Sequence, residues 1–396
     1  MKILVATTSF PSTINSSLAV AGKFILYECL AYEKSGAEVE VITPDISVGP
    51  KEQIYGEKIG VHRFRYFFPR KWQLLRGTDG SALYDPKKST FFYQFPFLFL
   101  AFCIALLKYG RKADIVHCNW SFTALAALPL RWIFKIPVVL TTRGSDLRLI
   151  PRFLNRFIFS NVDAVIDCFG PDYRKLFANI PANYVRLPVI TSMPKKMPTK
   201  TGEYLDSNEF LIVLISRFDS VKYELYGMAF FTLLASLAKI SKKYAVKCVY
   251  VGDGPLKAEI ERSSVKHGLG DIVTFVGYQD NVYQFIQAAD LVLGGVGLNA
   301  VSQEASVLGK VQLMPRIKNW YENIWFDKQN VLLYEAHDVE SLIHSIEFAI
   351  ENPDEMKKIS KNIRDTVKTY VRTIDEGGKD YLKIFKTAIK KLASRN

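Results

Sequence analysis

Cysteine and histidine are scarce in this chain of 396 residues, which contains five of each. The odd cysteine count and the lack of metal-ligand spacing argue against both a disulfide framework and a zinc site. Sparse cysteine also favours a reducing compartment. We therefore expect no bound metal. With 49% hydrophobic and 23% charged residues, the composition is that of a globular protein, and the length suggests two domains.

Long apolar runs are also lacking. The longest, Phe91–Leu107, has 17 residues with Gln94 and Pro96 inside it, and a membrane span needs about 20. We therefore predict a buried or membrane-surface helix there, with a true membrane span as the alternative. The opening MKILVATTSF lacks a long apolar core and a small-residue cleavage site, so a signal peptide is not expected.

Acidic residues are fewer than basic ones, 39 against 52, which gives a net charge of +13. The excess is concentrated in residues 1–190, which carry 24 basic and 14 acidic residues, whereas the remainder carries 28 and 25. A positive field attracts anionic partners such as nucleic acid, acidic lipid headgroups or phosphorylated substrates.

Short apolar strands alternate with amphipathic helices. Ile3–Ala6, a helix from Gly22 and Val39–Ile42 form the strand–helix–strand pattern of a parallel, doubly wound sheet. The polar segment 191–208 interrupts the alternation, which restarts at Phe210–Ile215. The predicted organisation is a Rossmann-like domain over 1–190, a linker over 191–208, a second Rossmann-like domain over 209–375, and a basic amphipathic helix over 376–396 that can pack back on the first domain.

Two such domains place a cleft between the carboxyl ends of two sheets, where ligands of open α/β sheets bind. The loop after the first strand lacks the GxGxxG of dinucleotide oxidoreductases, which argues against a nicotinamide enzyme. Its Gly22, at the helix start, either lets a phosphate approach backbone N–H groups or is an ordinary helix-start glycine.

Two segments of the second half carry candidate phosphate ligands. Arg217 and Lys222 follow a strand and suit a pyrophosphate, although they can also be solvated loop charges. A glycine-rich loop from Gly294 leads into a helix that carries Glu304. The N–H groups at that helix start suit a phosphate, and Glu304 is either a ligand of ribose hydroxyls or an exposed helix glutamate.

These segments, taken in order, resemble the retaining GT-B glycosyltransferases of family 4. The matching segments are Gly22-Lys23-Phe24 with GAEVEVITP, Arg217 with Lys222, VGDGP at Val251–Pro255, Phe275–Asp290, and Glu304-Ala305 with Gly309-Lys310. In the first half, RFRYFFPRKWQLLRG and DIVHCNW with TTRGSDL look like a bacterial polysaccharide subgroup. The resemblance implies an α/β GT-B fold with two Rossmann-like domains facing each other across a cleft.

The resemblance also implies a nucleotide-sugar donor, UDP- or GDP-linked, bound by the second domain without a cofactor. In it, Arg217 and Lys222 match the pair that holds the donor diphosphate, and Glu304 matches the ribose ligand. The other donor-binding candidates are Gly22, Gly254, Val276, Tyr278, Gly297, Leu298, Asn299 and Ala300. The catalytic candidates are His117, Asn119, Arg143 and Asp146.

Three positions depart from the family pattern. Val296 stands where the family has its first glutamate, beside the donor sugar, and Asn119 and Arg143 stand where histidines are common. An asparagine can hydrogen-bond a sugar hydroxyl but is no general base. We expect Arg143 to suit a leaving diphosphate or an acceptor phosphate, whereas His117, at a strand end, is more typical of a structural histidine.

Basic and aromatic residues are interleaved in two stretches of the first domain. They are Arg63, Arg65, Phe67, Phe68, Arg70, Lys71, Trp72 and Arg76, then Arg131, Trp132, Lys135, Arg148, Arg152, Phe153 and Arg156. Such a surface suits anionic headgroups, although it also resembles a nucleic-acid surface or charge spread around a domain. We expect peripheral membrane contact on the cytoplasmic side, a glycan or lipid-linked acceptor, and no nucleic acid. The alternative function is a catalytically silent GT-B scaffold that acts as a partner subunit.

Overall fold

The structure, a computed structural model, describes residues 1–11, 22–45, 52–73, 75, 89–143, 150–168, 183–192, 209–317 and 324–394. The chain divides into two compact units: a first unit, Met1–Ser192 with Arg372–Asn396, and a second unit, Met193–Val371. The predicted linker lies outside the described residues from 193 to 208.

The first unit is built on a sheet whose described strands run in the order β3-β4-β2-β1-β5-β6-β7-β8. They are β1 (Lys2–Ala6), β2 (Glu38–Pro44), β3 (Glu52–Tyr55), β4 (Ile59–Phe64), β5 (Ile115–Asn119), β6 (Val138–Thr142), β7 (Ala164–Asp167) and β8 (Tyr184–Arg186), with β9 (Val189–Thr191) following. All the neighbouring pairs are parallel except β3 with β4.

Helices cover this sheet. They are α1 (Lys23–Lys34), α2 (Ser89–Gly110), α3 (Ser121–Phe134) and α4 (Arg152–Asn161), with a 3₁₀ turn at Arg70–Trp72. Core residues of α2, α3 and α4, such as Phe102, Leu128 and Ile158, pack with Leu4 and Leu140 of the sheet in one apolar cluster. These three helices therefore form one layer on one face of the sheet.

The second unit has a wholly parallel sheet in the order β12-β11-β10-β13-β14-β15 among its described strands. The strands are β10 (Phe210–Ile215), β11 (Val246–Val251), β12 (Val273–Gly277), β13 (Leu291–Leu293), β14 (Gln312–Arg316) and β15 (Leu332–Glu335). The helices are α5 (Phe230–Ile240), α6 (Lys257–Lys266), α7 (Tyr283–Ala288), α8 (Ala300–Val307), α9 (Val339–Glu351) and α10 (Pro353–Tyr370), with a π-helical turn at Val221–Leu225.

The chain then returns to the first unit through β16 (Val371–Thr373) and α11 (Ile374–Ala393). The helix begins at Ile374, two residues before the predicted 376, because Thr373 and Glu376 form a capping box. It packs against α1, and a Cβ on Gly378 would overlap the backbone carbonyl oxygen of Ala31. The two helices can approach this closely only because Gly378 has no side chain.

The helix that contains the apolar run is longer than the run itself. The helix α2 has 22 residues instead of 17, and among the described residues it is the one helix long and apolar enough to cross a membrane by length and composition. Only 33% of the segment Tyr93–Gly110 of this helix is buried. Leu98, Phe102 and Leu106 form its buried side. The helix therefore belongs to the fold through one side and presents an apolar outer side.

Candidate active site

The first unit has a topological switch point at β1, because the chain moves from β1 to β2 on one side and later to β5 on the other. Gly22 begins α1 in a left-handed conformation with φ 84°. A Cβ on it would lie 2.6 Å from the Ser9 carbonyl oxygen. Close backbone approach at the helix start accounts for this glycine. Asn119 ends β5 at the same sheet edge, where open α/β sheets bind ligands.

Arg143, which follows β6, is not a surface cation. Its side chain is 4% exposed and forms a 2.5 Å ion pair with Glu28 of α1, whose side chain is 2% exposed. The Arg143 Nε also donates to Asn119 Oδ1 at 3.0 Å, and the guanidinium lies 4.9 Å from the Phe24 ring centroid. The expected phosphate ligand is thus a buried guanidinium that holds Asn119 in place.

The terminal helix α11 completes this cluster. The Tyr381 hydroxyl donates to Glu28 Oε1 at 3.5 Å and lies 3.0 Å from Cys168 Sγ. Burial alone would lower the pKa of Arg143, but Glu28 together with the neighbouring Cys168 and Tyr381 outweighs burial and holds that pKa above its ordinary value, while burial raises the pKa of Glu28. The pair therefore keeps Arg143 charged inside the first unit.

His117 is fully buried within β5. Its Nε2 lies 2.7 Å from Thr141 Oγ1, and its Nδ1 lies 3.3 Å from the Tyr32 hydroxyl. Burial, reinforced by the Arg143 charge, lowers the pKa of His117 to about 3. The imidazole is therefore neutral at ordinary pH, as a structural histidine would be. Asp146 lies outside the described residues.

The second unit has its own switch point at β10, between β11 and β13. Arg217 follows β10, and its Nε lies 3.2 Å from Asp219 Oδ2. The other Asp219 oxygen accepts the Lys222 backbone N–H at 2.8 Å. Burial, followed by the Arg217 charge, lowers the pKa of Lys222. One carboxylate therefore pairs with the Arg217 side chain and fixes the backbone of the turn that carries Lys222.

The glycine-rich loop after β13 packs against the end of β10. Gly294 has φ 127°, and a Cβ there would overlap the Ile215 carbonyl oxygen. Asn299 caps α8, because its side chain accepts the Ser302 N–H at 2.9 Å and donates to the Gly294 carbonyl at 2.7 Å. The start of α8, with the N–H groups of its first turn, is thereby fixed beside the Arg217 loop.

The remaining donor-binding candidates lie at the same edge, in the end of β12, in loops or in the first residue of α8. Gly254 packs on the Arg217 loop, since a Cβ there would overlap the Phe218 carbonyl oxygen. Half-buried Val276 is near the end of β12. Tyr278 follows β12, and its hydroxyl donates to Asp280 at 3.0 Å. In the segment that leads into α8, the Gly297 carbonyl accepts Trp325 Nε1–H at 3.3 Å, Leu298 is buried and Ala300 is exposed.

Glu304 lies on α8, four residues after Ala300, and is 9% exposed. The glutamate is thus buried and not the solvated helix residue of the alternative interpretation. Val296 is also buried, between Gly295 and Gly297. The structure therefore brings Arg217, Lys222, Gly254 and the start of α8 together at the switch point, whereas Val276 and Tyr278 lie at the end of the edge strand β12, with β11 between it and β10.

Two family models match the chain in succession. The model described as "Glycosyl transferase 4-like domain" matches residues 21–185, and the model described as "Glycosyl transferases group 1" matches residues 199–366. The chain belongs to the family 4-like GT-B glycosyltransferases. No curated protein matches it.

Solved structures of this fold resemble the glycosyltransferase over nearly its whole length. Sucrose-phosphate synthase from Thermosynechococcus elongatus has a TM-score of 0.72 and 17% identity, with 98% of this chain and 99% of that chain covered. Anabaena Alr3699/HepE in complex with UDP-glucose has a TM-score of 0.63 and 14% identity, with 100% of each covered. The lipopolysaccharide outer core galactosyltransferase WaaB has a TM-score of 0.62 and 14% identity, with 99% of each covered. These likenesses confirm the predicted fold class, two domains with parallel sheets.

Sequence reasoning missed the residues that hold the candidates in place in this glycosyltransferase. Asp219 stands two residues after Arg217, so its pairing with Arg217 could have been predicted from the sequence. Glu28 lies three residues after Ile25 and four before Tyr32, on the buried face of α1, and a carboxylate on such a face signals a buried partner. The link from Tyr381 to Glu28 had no local signal.

Proposed function

We propose that this glycosyltransferase moves a sugar, with retention, from a UDP- or GDP-linked donor to a lipid-linked or surface polysaccharide acceptor. The observation that carries the donor assignment is the switch point of the second unit. There Asp219 holds Arg217 and Lys222 in one loop, and that loop lies beside the capped start of α8. Two cations and a helix start are the groups that bind a diphosphate.

Each group has a role in the proposal. Arg217 offers a planar fork to the diphosphate, and Lys222 adds a point charge. Glu304 accepts hydrogen bonds from the ribose hydroxyls. The complexes of HepE with UDP and UDP-glucose support a UDP-linked donor as the first to test.

The proposed reaction breaks the bond between the anomeric carbon and the donor phosphate oxygen. The acceptor hydroxyl oxygen bonds to the same face of that carbon, and its proton passes to the departing diphosphate. The protein contributes position and charge stabilisation, so no metal, cofactor or side-chain base is required. This route is compatible with a buried, neutral His117 and with Asn119, which cannot act as a base.

In this proposal Asn119 and Arg143 act differently from a pair of substrate ligands. The buried ion pair with Glu28 balances the charge of Arg143, and Arg143 fixes the Asn119 side chain at the edge of the first-unit sheet. We therefore propose that Arg143 positions Asn119. The basic first unit attracts an anionic acceptor, such as a pyrophosphate-linked saccharide at the cytoplasmic face of a membrane.

Calorimetric titration with UDP, GDP and ADP tests the donor site. One diphosphate is expected to bind, and Glu304→Ala should weaken it by about 1.5–3 kcal/mol, the size of a lost charged hydrogen bond. Glu340→Ala, an exposed glutamate of α9, is the matched control and should leave affinity unchanged. Unchanged affinity in Glu304→Ala contradicts the ribose assignment. A protein that binds none of the three and hydrolyses no donor sugar would instead be the silent scaffold.

A further inference from the structure

The outer side of α2 is an exposed apolar stripe. Tyr93, Phe97, Leu100 and Ile104 follow one another at intervals of three and four residues, and each is between 53% and 59% exposed. This spacing places them on one side of the helix, away from the buried Phe102. A helix that hides only one side of an almost wholly apolar sequence leaves a surface that water solvates poorly.

Ring contacts extend the stripe across the helical layer. Phe97 meets Phe67 with ring centroids 5.5 Å apart. At the far end of α2, the Arg111 guanidinium lies 4.7 Å from the Phe134 ring centroid of α3. Trp132 of α3 meets Phe157 of α4 at 6.3 Å. The exposed aromatic and aliphatic side chains of α2, α3 and α4 therefore belong to one surface, which we call the helical-layer surface.

The cations around this surface separate into two groups. Arg63 is buried and donates to the Pro11 carbonyl, while Arg70 pairs with Asp45 at 2.7 Å and Arg131 with Asp163 at 2.9 Å. These three side chains stabilise the fold and therefore do not contribute to the predicted basic surface. The exposed cations with no carboxylate within 4.0 Å among the described residues are Lys71, Lys108, Arg111, Lys112, Lys135, Arg152 and Arg156.

On α4, exposed arginine and phenylalanine side chains alternate. Arg152, Phe153, Arg156 and Phe157 are all exposed and repeat an Arg-Phe pair one helical turn apart, and Phe153 is 74% exposed. None of α2, α3, α4 and the 3₁₀ turn contains an acidic residue. An apolar face bordered by unpaired cations and free of acids is the composition of an interfacial membrane surface.

We propose that the helical-layer surface docks on an anionic lipid bilayer, with the α2 stripe and Phe153 in the headgroup boundary and Arg152 and Arg156 on the lipid phosphates. Aliphatic Leu100 and Ile104 favour lipid over nucleic acid, because an aliphatic side chain offers a base no stacking face. The proposal deepens the proposed function, on which it rests, by naming the surface that meets the membrane of the acceptor.

Co-sedimentation of the full chain with phosphatidylcholine vesicles, with and without phosphatidylglycerol, tests the proposal. The protein should bind the anionic vesicles. Each arginine near an anionic surface is worth about a fivefold change in partitioning, so Arg152→Ser/Arg156→Ser should reduce binding by at least about tenfold. Leu100→Ser/Ile104→Ser should reduce it comparably, since both side chains are already exposed and their loss leaves the core intact.

Two controls separate this surface from general charge and hydrophobicity. Lys383→Ser/Lys386→Ser removes the same charge from α11, and Val265→Ser removes an exposed apolar side chain from α6. Neither should change vesicle binding more than about twofold. An equal loss in the lysine control overturns the proposal, as does tight RNA binding that abolishes vesicle binding, or a dimer in light scattering that Leu100→Ser/Ile104→Ser dissociates.

Nucleotide titration of the same samples without vesicles distinguishes the two proposals. Nucleotide binding without vesicle binding overturns the docking surface and leaves the proposed function standing. Vesicle binding without nucleotide binding supports the surface and counts against the function.

Discussion

The buried ion pair between Glu28 and Arg143 leads to a quantitative stability prediction. Glu28→Gln keeps the size of the side chain and removes its charge, so the Arg143 guanidinium would remain buried, with 4% of its side chain exposed, opposite a neutral amide. An isolated buried charge is poorly solvated, and breaking such a pair costs about 3–5 kcal/mol. We expect a loss of that size in the free energy of unfolding.

An exposed pair of the same unit provides the matched control. Lys2 and Glu38 lie 2.7 Å apart, with side chains 30% and 54% exposed, and Glu38→Gln should cost about 0–1 kcal/mol. Urea unfolding followed by circular dichroism measures both variants. Because the two units can unfold separately, the comparison uses the transition that both variants shift.

The double variant Glu28→Leu/Arg143→Met separates the cost of an isolated charge from the cost of the substitutions themselves. Removing both charges leaves no isolated ion, so this variant should be more stable than Glu28→Gln although it carries two changes. A Glu28→Gln variant that loses no more stability than Glu38→Gln, or a double variant that is the least stable of the three, would show that the isolated Arg143 charge is not the cause.

Two further outcomes follow from buried groups. The pKa of His117 falls from 6.5 to about 3 on folding, so the unfolded chain binds one more proton than the folded chain at intermediate pH. The free energy of unfolding should therefore fall by up to about 1.4 kcal/mol per pH unit as pH falls from 6.5 towards 3. His117→Gln should reduce this pH dependence, measured as urea midpoints at pH 7 and pH 5, and an unchanged pH dependence would contradict the prediction. Gly294→Ala should weaken nucleotide binding at least about tenfold, because the new side chain displaces the loop from Ile215. Gly268→Ala is the control, since Gly268 also has a positive φ but lies in open space, and it should leave nucleotide binding unchanged. Equal losses of affinity in the two variants would mean that backbone strain, and not the position of the Gly294 loop, is the cause.

Sequence patterns predicted the parts of this molecule that depend on neighbouring residues. The alternation of strands and helices, the strand Phe210–Ile215 and the loops at both switch points could be read because parallel sheets place strand ends at one edge. The strands β3, β4 and β15 were not predicted. β3 has no distinctive apolar run, whereas the buried apolar residues Leu332, Leu333 and Tyr334 of β15 were overlooked.

Side-chain burial was the harder problem. Arg143 was expected to meet a phosphate, yet its partner Glu28 is 115 residues away in sequence, and no local pattern links them. The length of α2 was underestimated for a different reason. Ser89 and Thr90 at its start and Lys108, Tyr109 and Gly110 at its end lie outside the apolar run, so the run is shorter than the helix.

Hydrogen exchange with and without the bound nucleoside diphosphate locates the donor site of the second unit without a substituted residue. We expect slower exchange of the backbone amides in 216–222 and 294–301 of the second unit, and no such change in α4 of the first. Protection confined to the first unit, or no protection of either segment while the nucleotide is bound, would contradict a donor site at the switch point of the second unit.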